Sequence, residues 1–278
     1  DLDKIKYVKS TIGTSVGSMF AVMIACKCSN DEIDYFSNKI FAELTTLTDT
    51  IYSETSNMIN FIGVHDNINI YNAINDFLFT KFNVHNITFK QFYEKTNVDV
   101  NVVGTCMTTR SIEFFNKTSY PEMEVAKAIQ ISTAVPVFFK MVLWDSKYWV
   151  DGGVVENFPI DYYDDNANGT FNQKTLGFSL MAISDKSIPK IYKINNIIDL
   201  LEGIEDIQID DNIRQSIKYP ADRNIITIDT GTISTLKFKL SDDEKQFLIT
   251  NGYNATKSYF NVTKPLTWSN YFASFVYK

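Results

Sequence analysis

The sequence is most constrained where a strand-like run meets an apolar, helix-like run, in STIGTSVGSMFAVMIAC at 10–26. The residues before the junction are rich in β-branched side chains, and the run after it is apolar and of helical length. Gly13 and Gly17 each stand two residues from Ser15. Glycines at these positions let a strand turn abruptly into a helix, because a Cβ there would collide with neighbouring backbone. The pattern therefore predicts that Ser15 is presented at a helix N-terminus.

A serine presented in this way can act as a nucleophile. The spacing is that of the G-x-S-x-G nucleophile elbow, in which the helix dipole and the backbone N–H of the next residue, here Val16, stabilise an oxyanion. The same letters also occur by accident, as a glycine-rich turn with an incidental serine. From this stretch alone, both interpretations stay open.

Composition and charge limit the class of protein. The chain has 278 residues, of which 45% are hydrophobic and 21% charged, enough for one large domain with a substantial core. The net charge of −7 and the scattered lysines and arginines argue against a nucleic-acid partner. The longest apolar run, 19–26, is shorter than the roughly 18–20 residues that span a bilayer. We therefore expect a soluble protein with a single domain over residues 1–278.

Cysteine and histidine are scarce. Three cysteines, Cys26, Cys28 and Cys106, argue against a disulfide framework and favour a reducing, cytoplasmic compartment. The first two have no histidine or further cysteine nearby, so the sequence predicts no metal site and no cofactor. The two histidines, His65 and His85, precede a long stretch without histidine, whereas the histidine of an α/β-hydrolase triad comes late in the chain. A Ser-His-Asp triad is therefore not expected.

Strand and helix signals alternate along the chain. Helical patterns cover 17–26, 31–47, 67–82, 89–95, 121–132, 194–218 and 242–260, and the expected helix starts are Ser29 or Asn30, Thr88, Pro121, and the capping box of Ser241 and Glu244. Strand signals cover 5–12, 97–108, 112–115, 176–183 and 224–229. Alternation of this kind predicts an α/β fold, a three-layer α/β/α sandwich with a mostly parallel central sheet.

A predicted hairpin ends at an aspartate, Asp151. The stretch FFKMVLWDSKYWVDGG turns at Asp145-Ser146 and places Asp151 at its exit, where Gly152 and Gly153 let the chain turn tightly. Such a carboxylate can face a serine on a neighbouring strand and act as a base. Burial would raise its affinity for a proton, and its apolar neighbours predict burial: Trp149, Val150 and Val154. An ordinary Asp-Gly-Gly turn is the alternative interpretation.

The two blocks together resemble the patatin-like phospholipases. GTSVG at 13–17 and STAVPVFF followed by YWVDGGVVENFP within 132–159 match that family in motif and in order along the chain. The resemblance implies a patatin-like fold and a Ser-Asp dyad, with Ser15 as nucleophile and Asp151 as general base. It also implies that the dyad acts without histidine or metal. The implied reaction is phospholipase A-like hydrolysis of a fatty-acyl ester through an acyl-enzyme.

The resemblance also leads us to expect an absent N-terminal segment, a class of substrate and an activating partner. Family members have a glycine-rich loop, G-G-G-x-[KR]-G, before the nucleophile, so we expect that the sequence lacks an N-terminal strand and loop. We expect a helical insertion near 57–95. The implied substrate is a phospholipid or another long-chain acyl ester, with transient contact to a membrane surface and room for an unknown activating partner. The alternative function is a non-catalytic lipid-binding or interaction module without a complete oxyanion hole.

Overall fold

The structure is a computed structural model that describes residues 7–51, 65–136, 138–165, 168–181, 203, 223–233, 237, 239–262 and 274–277. The chain divides into two compact units, Asp1–Leu176 with Trp268–Lys278, and Gly177–Thr267. Of the predicted helix over 194–218, the described residues include Gly203 alone. Within the described ranges, no helix has the length and apolar character needed to cross a membrane.

The strands confirm most of the predicted positions. In chain order they are β1 (Ser10–Thr14), β2 (Asp99–Cys106), β3 (Ser111–Phe115), β4 (Val142–Trp144), β5 (Lys147–Asp151), β6 (Thr175–Met181), β7 (Ile225–Asp229) and β8 (Ser274–Tyr277). β1 begins later than the predicted 5–12, of which 5 and 6 lie outside the described residues. β8 has no counterpart among the predictions.

The sheet of the first unit is mixed. β1 pairs in parallel with β2 and β8, whereas β2 pairs antiparallel with β3 and β5, and β4 pairs antiparallel with β5. The α/β fold class is confirmed, but the sheet contains more antiparallel pairing than the sequence predicted. The reason is local, because short turns join only antiparallel neighbours. Asp145 and Ser146 form one such turn, and their φ values of 49° and 57° are those of a two-residue hairpin.

The helices also follow the sequence closely. The described residues form α1 (Val16–Ala25), α2 (Asn30–Ile51), α3 (Ile68–Phe82), α4 (Phe89–Thr96), α5 (Val125–Ser132) and α6 (Asp242–Val262). The predicted caps at Ser29, Thr88 and Ser241 are confirmed, since each hydroxyl accepts from the backbone N–H three residues on. Helix α1 packs against β1 and β2, and α5 packs against β2. Ile12, Val102 and Ile129 are fully buried in this part of the core.

The start of α5 differs from the prediction. Pro121 was expected to begin this helix, but α5 begins at Val125. The carbonyl groups of Pro121 and Met123 accept hydrogen bonds from Lys90 N and Phe89 N, both at 3.0 Å, and so cap the start of α4. The proline therefore belongs to a turn that satisfies another helix, and the chain becomes helical only after it.

The second unit contains a smaller α/β element. β6 and β7 pair in parallel, from Gly177 opposite Ile225 to Met181 opposite Asp229. Helix α6 is fastened to β7 by its Asn251 side chain, which donates to the Asp229 carbonyl at 2.9 Å. These elements confirm the strand predictions over 176–183 and 224–229 where residues are described.

Candidate active site

Ser15 occupies the sharp turn between β1 and α1. Its backbone has φ 53° and ψ −131°, a conformation that side-chain-bearing residues rarely adopt. A Cβ on Gly13 would lie 2.2 Å from the carbonyl oxygen of Gly17 and 2.6 Å from Ser18 N. Glycine is therefore required at position 13, because the first turn of α1 lies directly against the end of β1.

Three hydrogen bonds hold the backbone of this turn. Ser18 donates to the Ser15 carbonyl from its backbone N at 2.9 Å and from its hydroxyl at 2.6 Å. The Ser15 N–H donates to the hydroxyl oxygen of Ser132 at 2.9 Å. Val16 and Gly17 hold the first positions of α1, where N–H groups have no acceptor within a helix and the helix dipole is positive. This end of α1 can therefore stabilise negative charge.

Asp151 ends β5 and is buried, with 4% of its surface exposed. Burial raises the pKa of its carboxyl to about 7, whereas the nearby Ser15 hydroxyl and the Gly153 N–H lower it. The Gly153 N–H bond to Oδ1 is 2.7 Å long, and Oδ2 is buried without a hydrogen-bond partner. Trp149 and Val150 are almost fully buried, as expected, whereas Val154 is only half-buried. The pKa of this carboxyl therefore lies near neutral pH.

The turn after Asp151 is equally tight. Gly152 and Gly153 lie in a single 3-10 turn, Gly152–Val154. A Cβ on Gly152 would lie 2.5 Å from the carbonyl oxygen of Val103 in β2, so a side chain there would force the chain away from the sheet. The glycine is required for Asp151 to end its strand in contact with β2.

The strand register explains why the two side chains meet. β1 pairs with β2 as far as Thr14 opposite Val103, and β5 pairs with β2 from Asp151 opposite Gly104. β3 pairs with both of these β2 residues, so β1 and β5 must share the other edge of β2. They run in opposite directions and end at consecutive positions, which brings Asp151 beside Ser15.

The structure thus brings together the two residues that the sequence singled out, with Gly13, Gly17, Val16, Gly152 and Gly153 in the turns that carry them. His85 stacks on Phe79 with ring centroids 4.0 Å apart, and the backbone of His65 bonds to Phe138 and Lys140. Among the described residues, no group of three His, Cys, Asp or Glu side chains could hold a metal ion.

Sequence reasoning missed the contribution of α5. Ser132 and Ala134 lie in the STAVP stretch, which was noted only for its motif. In the structure, Ser132 contacts the Ser15 backbone, and the Ala134 carbonyl accepts from Asp151 N at 2.9 Å. Neither role has a signal in local sequence, since both depend on a contact between distant segments.

Comparison with known protein families places the chain in one of them. The sequence pattern of the patatin-like phospholipases matches residues 1–164. The chain belongs to the patatin-like phospholipase family. It is therefore, by family, a lipid ester hydrolase.

Two relatives of the chain are viral proteins. An uncharacterized protein of Acanthamoeba polyphaga mimivirus is 26% identical over 254 residues, which cover 90% of this chain and 82% of that protein. A probable lipid hydrolase of Invertebrate iridescent virus 6 is 27% identical over 198 residues, covering 70% and 68% respectively. The crystal structure of VipD from Legionella pneumophila matches with a TM-score of 0.43 at 19% identity, over 63% of this chain and 35% of that chain.

Proposed function

We propose that this patatin-like phospholipase releases fatty acids from phospholipids or other long-chain acyl esters, with Ser15 as nucleophile and Asp151 as general base. The observation that carries the proposal is the Ser15 hydroxyl beside a buried carboxyl whose pKa is about 7. An aspartate of ordinary pKa is a weak base, whereas one near 7 combines a large ionised fraction with useful basicity at neutral pH. The viral relative described as a probable lipid hydrolase supports the same substrate class.

In the acylation step, the Ser15 hydroxyl oxygen attacks the ester carbonyl carbon while Asp151 takes the hydroxyl proton. Asp151 Oδ1 already accepts from Gly153 N–H, so Oδ2, which has no hydrogen-bond partner, is the oxygen that receives the proton. Negative charge develops on the carbonyl oxygen at the N-terminus of α1, where the Val16 N–H can donate to it. The ester C–O bond then breaks, and the alcohol leaves with the proton from Asp151.

Deacylation uses the same groups in reverse. Ionised Asp151 takes a proton from water, and the water oxygen attacks the acyl carbonyl carbon. The fatty acid leaves, and Ser15 recovers its proton from Asp151. One carboxyl thus serves both half-reactions, and no metal or cofactor takes part in the proposed route. Since the chain carries a net charge of −7, contact with an anionic membrane surface would depend on apolar side chains.

Fatty-acid release from mixed phospholipid vesicles tests this proposal. We expect release by the wild-type chain, its loss in Ser15→Ala, and a decrease of about 10²–10⁴-fold in Asp151→Asn, the usual contribution of a general base. The matched controls are Ser10→Ala and Asp99→Asn. These two residues begin β1 and β2, whereas Ser15 and Asp151 lie near the other end of β1. Both controls should retain release.

Two results would contradict the proposal. The first is a folded Ser15→Ala protein that releases fatty acid at the wild-type rate. The second is a folded wild-type chain that binds the vesicles without releasing fatty acid, and this second result would favour the non-catalytic lipid-binding module.

A further inference from the structure

The C-terminal end of α5 contacts both members of the candidate dyad. The hydroxyl oxygen of Ser132 accepts from Ser15 N at 2.9 Å, and the carbonyl oxygen of Ala134 accepts from Asp151 N at 2.9 Å. Ser132 and Ala134 are both 0% exposed, so water does not compete for these bonds. Two hydrogen-bond acceptors only two residues apart, Ser132 and Ala134, therefore hold the backbones of Ser15 and Asp151.

Close packing of α5 on β2 makes these contacts possible. A Cβ on Gly104 would lie 2.9 Å from Ile131 Cγ2 and 2.6 Å from the Phe115 ring. The absence of a side chain at position 104 lets Ile131, the neighbour of Ser132, approach the β2 backbone. Gly104 is also the residue opposite Asp151 in the sheet. The position of α5 and the position of the carboxylate are therefore set by the same stretch of β2.

The Ser15 backbone needs such support. Its φ of 53° is unfavourable for a residue with a side chain, and strain of this kind persists only where surrounding contacts over-determine it. Ser18 holds the carbonyl of Ser15 twice, through its backbone N and its hydroxyl. The N–H of Ser15 is held by the hydroxyl of Ser132. Loss of the Ser132 hydroxyl would leave that buried N–H without its acceptor.

We propose that Ser132 is a positioning residue, whose hydroxyl fixes the backbone of Ser15 so that the Ser15 hydroxyl stays beside Asp151. The effect on catalysis rests on the proposed function, whereas the effect on the Ser15–Asp151 contact does not. The bond also occupies the Ser15 N–H. That group is then unavailable to an oxyanion, which leaves the role to the first N–H groups of α1.

The test compares Ser132→Ala with wild type, Ser15→Ala and Ser10→Ala, all as full chains. Ser10→Ala is the matched control, because its hydroxyl bonds to the Asp99 carbonyl and to Tyr163 at the far end of β1. The first readout is the pKa of Asp151, which is measured from the pH dependence of the ¹³C NMR shift of its labelled carboxyl carbon. The second is the split between kcat and KM for vesicle hydrolysis.

The Ser15 hydroxyl lowers the pKa of Asp151, so the pKa must rise when this hydroxyl moves away from the carboxyl. We expect Ser132→Ala to raise it toward the value in Ser15→Ala, and Ser10→Ala to leave it unchanged. We also expect kcat to fall about 10- to 100-fold in Ser132→Ala with little change in KM, since misplacement by about 1 Å has this cost. A merely structural role would lower stability in Ser132→Ala and Ser10→Ala alike without moving the Asp151 titration.

The two readouts separate this inference from the proposed function. An unchanged Asp151 pKa in folded Ser132→Ala overturns the positioning role, whatever the activity. A raised pKa in a protein whose wild type releases no fatty acid supports the contact and refutes the enzyme function. If the pKa rises while kcat stays at the wild-type value, the contact does not govern catalysis and the positioning role is refuted.

Discussion

Ser15 and Asp151 meet where two strands of opposite direction end at consecutive positions on one edge of β2. Thr14 is the last residue of β1 opposite β2, and Asp151 is the last residue of β5. Each strand then leaves the sheet through a glycine-dependent turn, which places a half-buried serine on one side and a buried carboxylate on the other. The geometry of the candidate dyad therefore depends on strand register, and changes that disturb these two strand ends should disturb the proposed chemistry.

The first prediction concerns the pH dependence of activity. A general base acts in its ionised form, and the pKa of Asp151 is raised to about 7. We therefore expect kcat/KM to rise with pH through a midpoint near 7 and then to level off. Fatty-acid release measured from acidic to mildly alkaline pH checks this. A rate that is already maximal at the pKa of an ordinary aspartate would show that Asp151 is not the base.

The second prediction concerns the stability cost of Asp151. Its folded-state pKa lies above the ordinary value of 3.8, so the folded chain binds more protons than the unfolded chain between 3.8 and about 7. The stability of the folded chain therefore falls as pH rises through this window. Above pH 7 the chain bears the full free-energy cost of burying the ionised Asp151 carboxylate. Asp151→Asn removes the charge, so it should stabilise the chain above pH 7, by an amount on the order of a few kcal/mol.

Urea unfolding of both proteins at acidic and at mildly alkaline pH measures this difference. Asp242→Asn is the control, because the Asp242 side chain is 99% exposed and its neutralisation relieves no burial of charge. Equal stability of Asp151→Asn and wild type at alkaline pH would mean that burial of this carboxylate has no energetic cost.

The third prediction concerns the glycine of the elbow. Gly13→Ala places a methyl group 2.2 Å from the Gly17 carbonyl oxygen, so α1 must move away from β1. We expect a loss of about 1–3 kcal/mol or more in the free energy of unfolding, together with loss of activity. Gly252→Ala is the matched control within α6, where the new Cβ would be 3.9 Å from Ile228. Gly252→Ala should raise the free energy of unfolding by about 0.5–1 kcal/mol. A Gly13→Ala protein of wild-type stability would contradict the close approach of α1 to β1.

Much of the fold follows from local signals in the sequence. The caps at Ser29, Thr88 and Ser241, and the Asp145-Ser146 turn, act within a few residues, so their patterns can be recognised without tertiary information. The two candidate site residues were recognised for the same reason, since glycines beside Ser15 and Asp151 mark the turns that carry them.

The features that the sequence did not predict depend on distant contacts. The start of α5 is delayed because Pro121 and Met123 cap α4, and the short strand β8 forms by pairing with β1 from the other end of the chain. The contacts of Ser132 with Ser15 and of Ala134 with Asp151 also join segments that are distant in sequence. The single-domain arrangement and the helical insertion near 57–95 stay predictions, and residues 57–64 lie outside the described part of the chain.

The most direct test of the Ser15–Asp151 dyad is covalent capture of the nucleophile with a fluorophosphonate, followed by intact-mass and peptide mass spectrometry. Attack by the Ser15 oxygen on phosphorus expels fluoride and leaves one label per folded chain. We expect that label on Ser15, none on Ser15→Ala, and labelling slowed by about 10²-fold or more in Asp151→Asn. A folded wild-type chain that stays unlabelled, or that carries its label on another residue, would contradict the assignment of Ser15 as nucleophile.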